Sequence, residues 1–130
     1  MTKILENKVA MVTGGSSGIG EATAHLLAEH GAKVIIMARR EDEGKRVEIS
    51  IKKEGGEATY IQCDVGNENI VNSAISKAAD VYGDIHILFN NAGHGGAGDF
   101  PESTTEDWNT VINDNLNGTF FVSRAVWPFM

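Results

Sequence analysis

Residues 13–20 read Thr-Gly-Gly-Ser-Ser-Gly-Ile-Gly, between a short apolar run and a segment with helical patterning. A bend of this composition presents free main-chain amides and the positive end of a helix dipole, which together bind phosphate. Gly14 can take a backbone conformation closed to residues that carry a Cβ. Gly18 lets a diphosphate approach the main chain, and Gly20 lets the helix pack close to the strand. Ser16 and Ser17 add hydroxyl donors, and Ile19 completes the loop. The spacing is Gly-x-x-x-Gly-x-Gly, a variant of the dinucleotide fingerprint Gly-x-Gly-x-x-Gly. No Lys-Ser/Thr follows, so it is not a Walker loop.

Such a bend works only between a strand and a helix, and the patterning supplies both. Residues 8–13, 33–38, 58–63 and 85–90 are runs apolar on both faces or nearly so, the pattern of a parallel sheet covered on each side by helices. Helical segments alternate with them. The first runs from about Gly18 to His30 and stops at Gly31; the second runs from about Glu41 to Glu54 and stops at Gly55 and Gly56. The third carries Ile70, Ala74, Ile75, Ala78 and Val81 at helical spacing and stops at Gly83. A fourth follows Pro101, with Ser103 and Glu106 or Thr104 and Asp107 as its capping box, and runs through Trp108, Val111, Ile112 and Leu116 toward Trp127. The alternation predicts an α/β fold: a Rossmann-type doubly wound parallel sheet, partial, with four βα units, right-handed crossovers and strand order 3-2-1-4. Residues 1–130 are expected to form a single domain.

Arg39 and Arg40 then fall at the end of the second strand. An acidic residue there accepts hydrogen bonds from the adenosine ribose, whereas an arginine suits a 2′-phosphate. A guanidinium pairs with phosphate in fork geometry and stacks on adenine. NADP(H) is therefore expected over NAD(H). The alternative is two solvated arginines that pair with Glu41 or Glu43. Asn91, Ala92 and Gly93 close the fourth strand, at the edge where open α/β sheets bind ligands, and Ala92 and Gly93 leave bare backbone for ribose and nicotinamide.

The chain has 130 residues, 42% hydrophobic and 22% charged, which is a globular composition. No apolar run approaches the roughly 20 residues a spanning helix needs, and the start lacks the apolar core of a secretory signal. Cys63 is the single cysteine, so neither a disulfide framework nor a Cys-based zinc site is expected, and the setting fits the cytoplasm. His25, His30, His86 and His94 have no metal-ligand spacing. The formal charge of −7 argues against nucleic acid or an anionic membrane as partner, although local amides and arginines can still hold a phosphate.

Four motifs standing in one order resemble those of the short-chain dehydrogenase/reductase family: Thr13–Gly20, Cys63-Asp64-Val65, Asn90-Asn91-Ala92-Gly93, and residues 113–120, Asn-Asp-Asn-Leu-Asn-Gly-Thr-Phe. The resemblance covers the whole chain. It implies hydride transfer between a nicotinamide dinucleotide and a carbonyl or alcohol carbon of a small molecule, in a homo-oligomer. It implies that Asp64 accepts from the adenine amino group while the Val65 amide donates back. Asn90 would be a structural tie between strands. Asn115 would be the catalytic asparagine, which bends its helix and frees a main-chain carbonyl for a proton-relaying water.

The resemblance also calls for a serine and a Tyr-x-x-x-Lys pair, a tyrosine acting as acid or base beside a lysine. The tyrosines are Tyr60 and Tyr82, and four positions on stand Asp64 and His86. The chain is therefore expected to be the cofactor-binding half of an oxidoreductase, cut before those motifs and inactive alone. A non-catalytic NADP(H)-binding module or an inert fragment is the alternative. Only residues 94–102 remain to line a substrate pocket.

Overall fold

The computed structural model of the chain describes residues 2–96 and 98–130. Ala97, in the stretch expected to line a substrate pocket, lies outside the described residues. Four strands alternate with helices: β1 Val9–Thr13, α1 Gly18–Glu29, β2 Lys33–Ala38, α2 Glu41–Lys53, β3 Glu57–Gln62, α3 Glu68–Tyr82 and β4 Ile87–Phe89, then α4 Thr105–Ile112 and α5 Gly118–Val126. The sheet is parallel in the order β3-β2-β1-β4, as the alternation predicts.

Side chains alternate across the strands, so each face makes its own core. Met11, Ile35, Met37 and Ile61 pack on one face with Val71, Ala74, Ile75 and Ala78 of α3 and Val122 and Val126 of α5. Ala10, Val12, Val34, Ile36 and Tyr60 pack on the other with Ala24 and Ala28 of α1 and Val47 and Ile51 of α2. Small residues bring α1 and α2 close to the sheet. Gly44 stands against the Tyr60 ring, where any side chain would collide, and that ring's hydroxyl donates to the Ala38 carbonyl at 2.8 Å.

The helix stops fall where expected, with Gly31, Gly55 and Gly83 at φ of 98°, 89° and 84°. Asn67 caps α3 by accepting the Ile70 amide at 3.1 Å. Of the two candidate capping boxes, Thr104 with Asp107 forms. Three expectations need correction. The fourth strand spans Ile87–Phe89 and not 85–90, because its register with β1 covers only Ala10–Val12. The Ile85 amide instead donates to the Phe129 carbonyl. Ile70 and Val81 lie off the buried stripe of α3, which passes through Val71, Ala74, Ile75 and Ala78. The long fourth helix is broken at Asn113–Asn117 by a π-helical turn, and Trp127–Phe129 forms a 3-10 turn. The break falls at Asn115, where the resemblance implies a bend; polar side chains of the turn bond to neighbouring loops, which the amphipathic stripe does not signal.

Two substitutions separate core from cap. Ile35→Ala, at a fully buried site in an inner strand, is expected to cost about 3–4 kcal/mol in chemical denaturation. Asn67→Ala is expected to cost about 1 kcal/mol.

Candidate functional site

The glycine bend forms an elbow at the carboxyl edge of the sheet. Gly14 and Gly18 have φ of 65° and 55°, the left-handed region that favours glycine. A Cβ on Gly20 would strike the Gly14 carbonyl and the Asn91 amide nitrogen, whereas the space beside Gly18 is open. Conformation thus demands glycine at 14, close packing demands it at 20, and access is free at 18. The amides of Gly18, Ile19 and Gly20, in the first turn of α1, have no partner among the described residues. Ser17 takes the N-cap position without a side-chain cap bond, so its hydroxyl is not committed to the helix. Arg46 of α2 braces the elbow, donating to the Ser16 carbonyl at 3.2 Å and pairing with Glu21 at 2.7 Å.

A buried hydroxyl joins this elbow to the loop after β4. Thr13 Oγ1 accepts the amides of Asn91 and Ala92, both at 3.0 Å. The Asn91 side-chain amide donates to the carbonyls of Thr13 and Gly14, both at 3.3 Å. Asn91 therefore ties β4 to β1, the role expected of Asn90. Asn90 instead donates to Ser123 Oγ at 2.8 Å and to the Thr119 carbonyl at 3.2 Å, fixing β4 to α5.

A cleft of about 140 Å³ opens along this edge. Gly14, Ser16, Ser17, Arg39, Arg40, Asp64, Val65, Ala92 and Gly93 line it. Gly18, Ile19, Gly20, Asn91 and Asn115 stand outside the lining, the first three in the first turn of α1 and Asn91 in the tie just described. Arg39 and Arg40 are exposed, and neither pairs with a carboxylate among the described residues. Glu43, an alternative partner for them, is taken by Arg46. Asp64 accepts the Gly66 amide at 3.0 Å through one carboxylate oxygen. Cys63 also lines the cleft; burial, with Asp64 adding to it, pushes its thiol up to about 11.

The π turn grips two loops. Asn115 Nδ2 donates to the His94 carbonyl at 2.7 Å, and its Oδ1 accepts the His94 amide at 2.8 Å. Asn113 Nδ2 donates to the Gly66 carbonyl at 2.8 Å. Between them, Asp114 pairs with the His94 ring at 2.7 Å. The Asn115 carbonyl accepts the Thr119 hydroxyl at 2.8 Å. His94, first of the residues 94–102 expected to line a substrate pocket, and Asp114 also line the cleft; their pairing was not expected. The signal available was position alone: His94 directly follows Asn-Asn-Ala-Gly, and Asp114 directly precedes Asn115. Metal-ligand spacing does not reveal an ion pair. Among the described residues, no group of three or more His, Cys, Asp or Glu is placed to hold a metal ion.

A parallel sheet in the order 3-2-1-4, with a glycine elbow at the carboxyl end of its first strand, defines a Rossmann-like α/β protein. Residues 8–130 match the short chain dehydrogenase family. An uncharacterized oxidoreductase of Thermotoga maritima is 40% identical over 121 residues, covering 93% of this chain and 47% of its own length. Among solved structures, a citronellol catabolism dehydrogenase of Pseudomonas aeruginosa superposes with a TM-score of 0.92 at 32% identity, over 98% of this chain and 52% of that one. A metagenomic short-chain oxidoreductase in complex with NADP gives a TM-score of 0.91 at 34% identity, over 97% and 57%. The chain belongs to the short-chain dehydrogenase/reductase family, and it spans about half the length of the curated relatives it matches.

With its thiol near 11, Cys63 is about one part in a thousand thiolate at pH 8. Native protein is expected to resist iodoacetamide at that pH and to label rapidly once unfolded in denaturant, as mass spectrometry can follow. Asn115→Leu removes both bonds to the His94 main chain, and denaturation is expected to register a loss of about 2 kcal/mol.

Proposed function

We propose that this chain is the single cofactor-binding domain of an NADP(H)-dependent short-chain dehydrogenase/reductase. The whole protein would transfer hydride between the nicotinamide and a carbonyl or alcohol carbon of a small molecule. The observation that carries this reading is a cleft joining the glycine elbow to two arginines without carboxylate partners among the described residues, on the carboxyl edge of a parallel sheet. Open space at Gly18 and free amides in the first turn of α1 fit a diphosphate; a Cβ there would narrow the approach.

In this reading Gly14, Ser16, Ser17, Gly18, Ile19 and Gly20 surround the bridging phosphates, with Arg46 holding the elbow's shape from behind. Arg39 and Arg40 take the 2′-phosphate, which favours NADP(H) over NAD(H). Asp64 and Val65 meet the adenine, and Ala92 and Gly93 carry the ribose and nicotinamide on bare backbone. Asn91 positions that backbone through Thr13. Asn115 has both side-chain groups engaged on the main chain of His94, so within this chain it is a positioning residue for the loop after β4. A bound nicotinamide dinucleotide supplies the hydride chemistry. The serine, tyrosine and lysine that would orient substrate and move the proton belong, on this proposal, to the half of the relatives' length that this chain does not span. The relative seen with NADP supports the cofactor assignment. Cys63, without a disulfide partner, fits a reducing cytoplasm.

Fluorescence titration of the full chain with NADPH and NADH tests the assignment. NADPH is expected to bind more tightly. Arg39→Asp removes a charge-assisted contact and introduces repulsion, so NADPH affinity should fall about tenfold or more while NADH is spared. Unchanged NADPH affinity in a folded Arg39→Asp protein would remove Arg39 from the site.

A further inference from the structure

The dinucleotide reading leaves two charged residues of the cleft without a role. His94, in the loop after β4, and Asp114, in the π turn, both line it and meet at 2.7 Å through His94 Nε2. The other ring nitrogen, Nδ1, faces the Gly95 carbonyl at 3.0 Å. Both neighbours are acceptors, and only the imidazolium has an N–H for each. The geometry selects the protonated ring. Its backbone is held separately, since Asn115 clasps the His94 amide and carbonyl.

We propose that the His94–Asp114 pair sets the charge of the dinucleotide cleft and through it the affinity for the ligand's phosphates. With the ring protonated, the pair is neutral. Once the ring loses its proton, the Asp114 carboxylate stands uncompensated in a cleft shaped for a polyanion. The Gly95 carbonyl first, and then Asp114, raise the His94 pKa above its ordinary value, while Arg39 opposes them. Affinity is therefore full below the His94 pKa and falls as pH rises through it. The other charged groups lining the cleft are Arg39 and Arg40 after β2 and Asp64 after β3. Cys63, pushed up to about 11, stays neutral near pH 7. Among the described residues that line the cleft, His94 is the one held as a cation between a carboxylate and a carbonyl.

The inference rests on the dinucleotide reading, and the test separates the two. NADPH and NADH are titrated into the full chain at low ionic strength from pH 7 to 9, above the ionisation of a phosphate monoester near about pH 6. Wild-type affinity should fall as pH rises through the His94 pKa, by about fivefold in all, and the fall should shrink in high salt. His94→Gln should bind weakly at every pH, close to wild type at pH 9. Asp114→Asn leaves no uncompensated carboxylate, so it should bind tightly at pH 9, where wild type is weak. His94→Lys, which keeps a cation opposite Asp114, should also be flat and tight, and it guards against misfolding of either neutral variant. A folded His94→Gln protein with the wild-type slope overturns the proposal. So does an Asp114→Asn protein as weak as His94→Gln, because the pair would then act by its contacts and not by its charge. Failure of wild type to bind either dinucleotide at any pH overturns the dinucleotide reading, and this inference with it.

Discussion

The site depends on one close approach. The carbonyl of Gly14 and the side-chain amide of Asn91 occupy the space that any side chain at Gly20 would need. That contact sets how near α1 comes to the carboxyl end of β1, and so where the first amides of the helix point. It also draws in the loop after β4, since Asn91 donates to the same Gly14 carbonyl. Gly14 accepts this geometry only because its φ of 65° is open to glycine. A conformational requirement at one position and a volume requirement at another thus define a single surface, while the glycine between them, Gly18, keeps that surface accessible.

A second set of contacts carries the constraint outward. Thr13 Oγ1, buried, accepts two successive amides of the β4 loop, and Asn115 clasps the next part of that loop by its amide and carbonyl. Asn113 reaches the carbonyl of Gly66 in the loop after β3. The π turn therefore joins the two loops that wall the cleft. A π turn sacrifices regular helical bonding, and such turns recur at functional sites. Here its side chains meet backbone groups that would otherwise lack partners, so the local irregularity satisfies the loops around it.

The sheet, its order and the helix stops were legible in the sequence because each rests on a local signal. Two-sided apolar runs mark buried parallel strands, and Gly31, Gly55 and Gly83 mark left-handed helix ends. The elbow was legible for the same reason, as were Arg39, Asp64 and Ala92 on the cleft wall. What escaped depends on pairs distant in sequence. The resemblance places a bend at Asn115, but the apolar patterning of residues 105–126 does not show its π form, whose side chains meet the carbonyls of His94 and Gly66. That Asn91 ties to β1 and Asn90 to α5 turns on which residue faces which neighbour at the end of a strand, where successive side chains point to opposite sides. His94 stands in the stretch 94–102 expected to line a pocket, but its pairing with Asp114, twenty residues on, has no local signal.

Charge shows the same division between global and local. A chain of formal charge −7 is a poor general host for a polyanion. The cleft answers locally: free amides in the first turn of α1 and two guanidiniums without carboxylate partners among the described residues bring positive potential, while four acidic side chains in this part of the fold are engaged elsewhere. Glu21 and Glu43 face Arg46, Asp64 accepts the Gly66 amide, and Asp114 faces His94. Each of these carboxylates, left unanswered, would oppose an incoming phosphate over the distances that a cleft spans. Three of the four are met by groups whose state does not change near neutral pH, an arginine or a backbone amide. Asp114 alone is met by an imidazole, so the electrostatic balance of the cleft has one adjustable member, and it lies on the turn that holds the cleft together.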